Sequence, residues 1–385
     1  MKIAHIHHHP ESGWSQALPV ALDGPQTLVL AFCARTINEA PHVLRDLGTA
    51  FPSSVVLGCS SAGEISASQV GDGSISVLVA QFARTQLRHA SAALMDSDGS
   101  HAAGASLAAQ LSGDGLRAVF VLSSGLGVNG TALVRGLASG LPDGVSISGG
   151  LAGDGSDFRQ TWVLDGGEAR EHCVTAVGFY GAALRLGHGC CGGWLDFGPE
   201  RTVTRSEGNV LFELDGKPAL SLYKHYLGDL AAQLPGSALL FPLSLRSAQG
   251  DARTVVRTIL AIDEATQSMT FAGDIPMGAT AQLMRTSVDR LVASAEEAAG
   301  QAMTQLSTGS SSTPQAVLAV SVSCIGRRLV MGARTEEEVE AVVDRLPAGS
   351  VHAGFYSYGE IAPADGFMSS DLHNQTMTLT VFSEA

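Results

Sequence analysis

Three short loops hold the residues whose types and spacing could do chemistry. Residues 58–65 (GCSSAGEI) and 354–361 (GFYSYGEI) carry Gly, Ser, Gly, Glu and Ile at identical places, and residues 146–154 (SISGGLAGD) close on Ala152, Gly153 and Asp154. Glycines let backbone N–H groups approach a ligand closely, and serine hydroxyls add donors. Gly58, Ser60, Ser61, Glu64, Gly149, Asp154 and Glu360 are therefore candidate ligand-binding residues, the acids suited to an ammonium or guanidinium. The plainer alternative is that the glycines serve turn geometry and each acid caps nearby backbone.

Other constellations carry other chemistries. Cys59 and Cys324 stand at expected strand ends, where a thiolate could act as nucleophile with a histidine base. Buried free cysteine is the competing reading. The serine-elbow, zincin and Walker patterns are absent. His5, His7, His8 and His9 form a tract that could hold zinc or nickel, but no fourth ligand is fixed by spacing, and a frayed, solvated terminus is expected. His188 beside Cys190 and Cys191 reads as packing of small thiols. A b-type haem needs one axial ligand in an apolar cavity and leaves no compact motif. His352, Phe355, Tyr356, Tyr358 and His373 bring aromatics and candidate ligands into one region, although a satisfied, partly buried residue is the plainer reading of each histidine. Covalent haem is excluded by the lack of CxxCH.

The elements that must position these residues come as a repeat. Residues 28–64 and 118–154 match without a gap at an offset of 90 residues: an apolar strand, a helical pattern (Leu44 and Leu47 against Val134 and Leu137), a second strand, then the Gly/acid loop. A third copy starts at Ala316, passes through a helix over Glu336–Arg345 and closes on the loop at 354–361. Apolar strands follow each loop, at Ile75–Phe82, Val174–Tyr180 and Thr376–Phe382. A strand–helix–strand crossover makes two parallel strands, and the strand after it can return antiparallel. The expected class is mixed α/β, in two lobes built from repeated units with helices covering the sheets. Ligands in such folds sit beyond the carboxyl ends of parallel strands, where these loops fall.

Different material lies between the second and third copies. Gln160–Leu164 and Val203–Leu214 read as strands, Val255–Asp263 with Met269–Phe271 as a hairpin, and Val288–Leu306 as a long amphipathic helix. A helix opens at Pro218 and faces its core with Leu220, Tyr223, Leu227 and Leu230. Residues 307–315 (STGSSSTPQ) read as a flexible linker, and the lobe boundary is placed near Asp157–Gly167. The expected division is a His-rich segment over 1–25, an N-terminal domain over 26–160 and a C-terminal domain over 161–385.

Composition narrows the function classes. With 45% apolar and 16% charged residues the chain can bury proper cores. Its net charge of −14 argues against nucleic acid and against anionic membrane surfaces. No apolar run reaches the roughly 20 residues of a spanning helix, and no leader pattern opens the chain. Six scattered cysteines without CxxC spacing fit a reducing cytoplasm.

The segments GCSSAGEI, SISGGLAGD, VTRSEGNVLFELDGKPAL, VVRTILAID with SMTFAGDIP, GFYSYGEI and LHNQTMTLT together resemble the FIST family of bacterial sensory proteins, in chain order from about Leu28 to Phe382. The resemblance implies a FIST N-terminal and a FIST C-terminal domain and a non-catalytic sensory role. As a chain without kinase or cyclase modules it is similar to the NosP-type sensors, which implies haem b, a response to nitric oxide, and a partner histidine kinase, diguanylate cyclase or phosphodiesterase. On that resemblance His373 is the axial-ligand candidate, with Tyr356, Tyr358 and Asn374 lining the cofactor. A haem-free receptor for a small metabolite such as an amino acid is the alternative within the class, and a Cys-dependent enzyme the alternative outside it.

Overall fold

The computed structural model describes residues 1–39, 41–246, 254–308, 316–364 and 369–385. Its lead strands, Thr27–Ala34, Leu116–Ser123 and Leu318–Cys324, are covered on both faces, which is why they read as unbroken apolar runs. Each crosses through a helix to a parallel partner strand: Val55–Ser61, Ser146–Leu151 and Val351–Ser357. Each is then joined on its other edge by an antiparallel return strand, Ile75–Gln81, Cys173–Tyr180 or Met377–Glu384. The fold class is the mixed α/β expected from the repeat, and residues 28–64 and 118–154 have matching strand–helix–strand order.

The three sheets are interlocked by short crossing strands. After its Gly/acid turn, the first unit sends Glu64–Ser66 to pair with the third unit's partner strand. The third sends Gly359–Ala364 to the second, and the second sends Val163–Asp165 to the first. The exchange closes on itself, a pseudo-threefold ring, and the third unit packs with the first two. Inner faces meet in one core, where Leu28, Leu30 and Phe32 join Ala118, Phe120 and Leu122, and Leu318, Val320 and Val322. Outer faces are covered by helices: Pro41–Ala50 on sheet one, Ser100–Leu111 and Gly130–Ser139 on sheet two, Val288–Ser307 and Glu336–Val343 on sheet three.

An outer strand completes each sheet, and here the structure corrects the reading of the His tract. Lys2–His9 is not a frayed terminus; it pairs antiparallel with Ile75–Gln81 over seven residues. Gln86–Ala93 and Leu184–Cys191 take the same position in the other two sheets. Each outer strand carries one histidine at the corresponding place, His5 opposite Leu78, His89 opposite Val177 and His188 opposite Thr380. Residues directly opposite share a face, so all three rings turn toward a neighbouring sheet. His5 Nε2 lies 3.3 Å from Ser66 Oγ of the crossing strand in sheet three. His89 Nε2 lies 3.4 Å from Asp165 of the crossing strand in sheet one, and His188 Nε2 lies 2.9 Å from Ser146 Oγ in sheet two. A histidine thus stands at every seam, hydrogen-bonded across it at His5 and His188 and in close approach to Asp165 at His89.

Between the outer strand of the third unit and its helix Val288–Ser307, a fourth, antiparallel sheet is inserted, running from Leu195–Glu207 to Thr280–Arg285 around the helix Ala219–Leu227. The segment expected as one strand over Val203–Leu214 is a hairpin, broken at Gly208, whose φ of 53° suits glycine. Val255–Asp263 also divides: Thr254–Arg257 pairs with Leu243–Arg246, while Ile259–Asp263 makes the expected hairpin with Ser268–Phe271. The helix expected to open at Pro218 runs over Ala219–Leu227: Pro218 is extended just before it, and Leu230 falls in the 3-10 turn Gly228–Gln233 that follows. The long helix ends at Ser307, and most of the proposed linker lies outside the described residues. Among the described residues no helix is long and apolar enough to cross a membrane.

Candidate functional site

The three Gly/acid turns stand at the carboxyl ends of the parallel strands, and their acids are occupied. Ser61 donates its hydroxyl to Glu64 Oε1, and Ser74 donates both its N–H (3.0 Å) and its hydroxyl (2.8 Å) to Oε2. The third unit repeats the pattern: Ser357 Oγ donates to Glu360 Oε1 at 2.7 Å, and Thr376 N–H and Oγ1 donate to Oε2 at 3.0 and 2.9 Å. In the second unit the serine position is Leu151 and the acid is one carbon shorter. Asp154 accepts the N–H groups of Phe158, Arg159 and Gln160 at 3.0, 2.8 and 2.8 Å, together with the hydroxyl of Tyr358 from the third unit. Each acid ties its turn to the segment leading into the next strand. All three carboxylates accept nearby backbone N–H groups, the arrangement of the plainer alternative.

Burial shapes their chemistry. Glu64 is 1% exposed and Glu360 fully buried. Desolvation pushes both carboxyls up to about 7, against the hydrogen bonds from Ser61 and Ser74 or from Ser357 and Thr376 that favour the charged form. Cys59 and Cys324 are also fully buried; burial, and then the neighbouring Glu64 or Glu360, push these thiols well above the usual range. A thiol so placed is a poor nucleophile.

The remaining candidates also face inward. A Cβ on Gly58 would stand 2.3 Å from the Ala31 carbonyl oxygen, and one on Gly149 1.8 Å from that of Val121, so both glycines permit close strand contact. Ser60 accepts the Trp162 N–H on its hydroxyl at 3.1 Å and the Gly153 N–H on its carbonyl at 3.0 Å. Tyr356, Tyr358 and Asn374 are each buried to 1% exposure or less. Tyr356 donates its hydroxyl to Glu338 at 2.6 Å, Tyr358 is held by Asp154, and Asn374 Nδ2 donates to the Tyr358 carbonyl at 3.3 Å. His373 sits opposite Glu360 in the strand ladder, with Nε2 3.2 Å from the Ala362 carbonyl oxygen. The structure therefore brings Asp154, Tyr358, Asn374, Glu360 and His373 into one neighbourhood, with Ser61 and Glu64 on the equivalent turn.

These residues do not fit haem as they are folded. Both tyrosine rings are enclosed by protein, their hydroxyls are committed to buried carboxylates, and the His373 nitrogen already has a carbonyl partner. The two tyrosine rings and Asn374 leave no open face to a macrocycle, and only His373 is partly exposed. Among the described residues no group of three or more His, Cys, Asp or Glu is placed to hold a metal ion.

Two features of this region escaped the sequence reading. Arg327 and Glu338 form a fully buried ion pair at 2.6 Å. Glu338 also accepts Ser323 Oγ at 3.0 Å and the Tyr356 hydroxyl, while Arg327 donates to the carbonyls of Gly192 and Leu291 at 2.7 and 2.9 Å. The two residues stand eleven apart in the sequence, on separate helices, so nothing in their spacing marks them as a pair. Arg328, next in the chain, lies against Gly63, where a Cβ would meet its Nη1 at 2.5 Å, and bonds the Ala62 carbonyl and Asp72.

The FIST N domain matches residues 27–217 and the FIST C domain residues 219–363. The chain belongs to the FIST family, whose domains are sensory domains that bind small ligands. No curated protein sequence matches the chain. Among solved structures, the cyanuric acid hydrolase from A. caulinodans aligns over 100% of this chain and 98% of its own at 12% identity and a TM-score of 0.36, a likeness too weak to carry any argument.

Proposed function

We propose that the chain is a non-catalytic sensory protein that binds a small haem-free metabolite, such as an amino acid, and signals by contact with a histidine kinase, diguanylate cyclase or phosphodiesterase. The observation that carries this reading is the enclosure of the candidate nucleophiles and acids at the sheet ends: Cys59 and Cys324 are buried, and Glu64 and Glu360 are buried and hydrogen-bonded to their own neighbours. Such a site presents no nucleophile or acid to a substrate, so occupancy rather than turnover would be the signal. The ligand would shift the population between two arrangements of the ring, and the partner would read the difference. The cytoplasm is the proposed location, where the six free thiols stay reduced.

The test has two parts. Freshly purified protein is expected to show no Soret band, also after haem addition; a band near 1:1 loading, abolished by His373→Ala, would restore the nitric-oxide reading. The chain is expected to change the autophosphorylation of a cognate histidine kinase only when a metabolite is bound. Robust turnover of a small molecule by the chain alone overturns the sensory reading.

A further inference from the structure

We propose that the groove between sheets two and three, lined by Arg117 and Arg185, binds a small organic anion, its carboxylate or phosphate held by the two guanidiniums and its hydrocarbon part lying on Leu184 and Leu186. The inference deepens the sensory reading and rests on it for its biological meaning, while the binding stands or falls by itself. The groove has a volume of about 580 Å³ and opens at the amino ends of the strands, the end opposite the Gly/acid turns. That volume lies within the range of about 300–1,000 Å³ typical of small-molecule sites.

The chemistry of the lining points to an anion with an apolar body. Arg117 is exposed and has no carboxylate partner among the described residues, and Arg185 donates only to the Leu306 carbonyl at 2.5 Å. Two unneutralised guanidiniums facing one groove are unusual on a chain of net charge −14. Planar guanidinium forks match carboxylate and phosphate geometry. Ser146, whose hydroxyl meets the His188 ring at 2.9 Å, and Gln305, whose side-chain oxygen accepts the His188 backbone N–H, also line the groove.

The pseudo-threefold ring supplies an internal control. Arg117 immediately precedes the lead-strand position of Ala118, where the other units have Thr27 before Leu28 and Val317 before Leu318. Arg185 lies three residues before His188, where the others have Lys2 before His5 and Gln86 before His89. The two other seams thus pair Gln86 with Thr27 and Lys2 with Val317. They are assembled without two cations, so closing a seam does not require the arginine pair.

Calorimetric titration of the full chain with hexanoate and with hexyl phosphate tests the proposal, with hexan-1-ol and inorganic phosphate as controls. Saturable 1:1 binding of one of the two anions is expected, at least tenfold tighter than either control, and the better anion identifies the head group. Arg117→Ala should weaken it about tenfold or more, the effect of removing one charge-assisted contact. Arg185→Lys, which keeps a donor for the Leu306 carbonyl, should weaken it comparably while the fold stays intact. No saturable binding of either anion, or equal binding by both variants, overturns the proposal. A chain that binds neither anion yet still modulates a kinase would sink the groove and leave the sensory reading standing.

Discussion

At the carboxyl ends of the parallel strands every oxygen of Glu64, Asp154 and Glu360 accepts a hydrogen bond from its own chain; at the amino ends, in the seam of sheets two and three, Arg117 and Arg185 face an open groove without a carboxylate. The contrast separates repetition from function. The turns recur in all three units because each must solve the same problem, holding a tight turn against the start of the next segment. The arginines occur in one seam only, where the repeat does not explain them. In a duplicated fold, the residues that depart from the repeat are better guides to binding than those that keep it.

The largest expected effect falls at the closed end. Glu360→Ala would leave the Thr376 N–H, its hydroxyl and that of Ser357 without an acceptor in a fully buried place, costing roughly 3–5 kcal/mol. Asp154→Ala should cost less, because the amides of Arg159 and Gln160 lie near solvent and water can replace the carboxylate. Chemical denaturation of the two variants compares them; equal losses would mean that burial does not set the difference.

A pH titration sharpens the same contrast. Glu64 and Glu360, raised to about 7 from an ordinary value of 4.5, keep protons in the folded state that the unfolded chain gives up between those values. Their contribution is complete below about 4.5 and is lost as pH rises through 7, on the order of 3 kcal/mol for each carboxyl. His5, His188 and His352, lowered to about 4 chiefly by burial, act in the opposite sense: stability falls as pH drops from 6.5 toward 4. The wild type minus the Glu64→Gln/Glu360→Gln double variant isolates the glutamates. Parallel stability–pH curves for the two proteins would show that these carboxyls do not titrate on unfolding.

The smallest effect belongs to the open groove. Arg117→Ala removes an exposed side chain without an ion-pair partner, and should change stability by no more than about 0.5 kcal/mol. A loss of several kcal/mol would make Arg117 a structural residue and remove the contrast.

Much of the ring was legible in advance. The lead strands, the helices over Pro41–Ala50 and Gly130–Ser139, and the return strands follow from apolar periodicity that survives duplication without a gap. The crossing strand Glu64–Ser66 did not show, since it is three residues long and exists only through a partner from another unit, while the one expected over Gln160–Leu164 is confined to Val163–Asp165. The outer strand Lys2–His9 was hidden by its histidines, which look solvated in a sequence but include the seam residue His5. At the candidate site Glu64, Asp154 and Glu360 stood out in the sequence as ligand-binding acids, but the sequence could not say which way they point, and in the structure they face their own chain. That direction is decided by Ser74, Thr376 and Tyr358, each at least ten residues away or in another unit.

Native-state hydrogen exchange at the Ser74 and Thr376 amides tests the closed-turn account most directly, because these N–H groups donate to Glu64 and Glu360. Both should exchange only through large-scale unfolding, with protection free energies near that of the whole ring. Rapid exchange through local opening, at one or both amides, would show turns that part readily to admit a ligand, and would contradict the claim that they serve to hold the fold together.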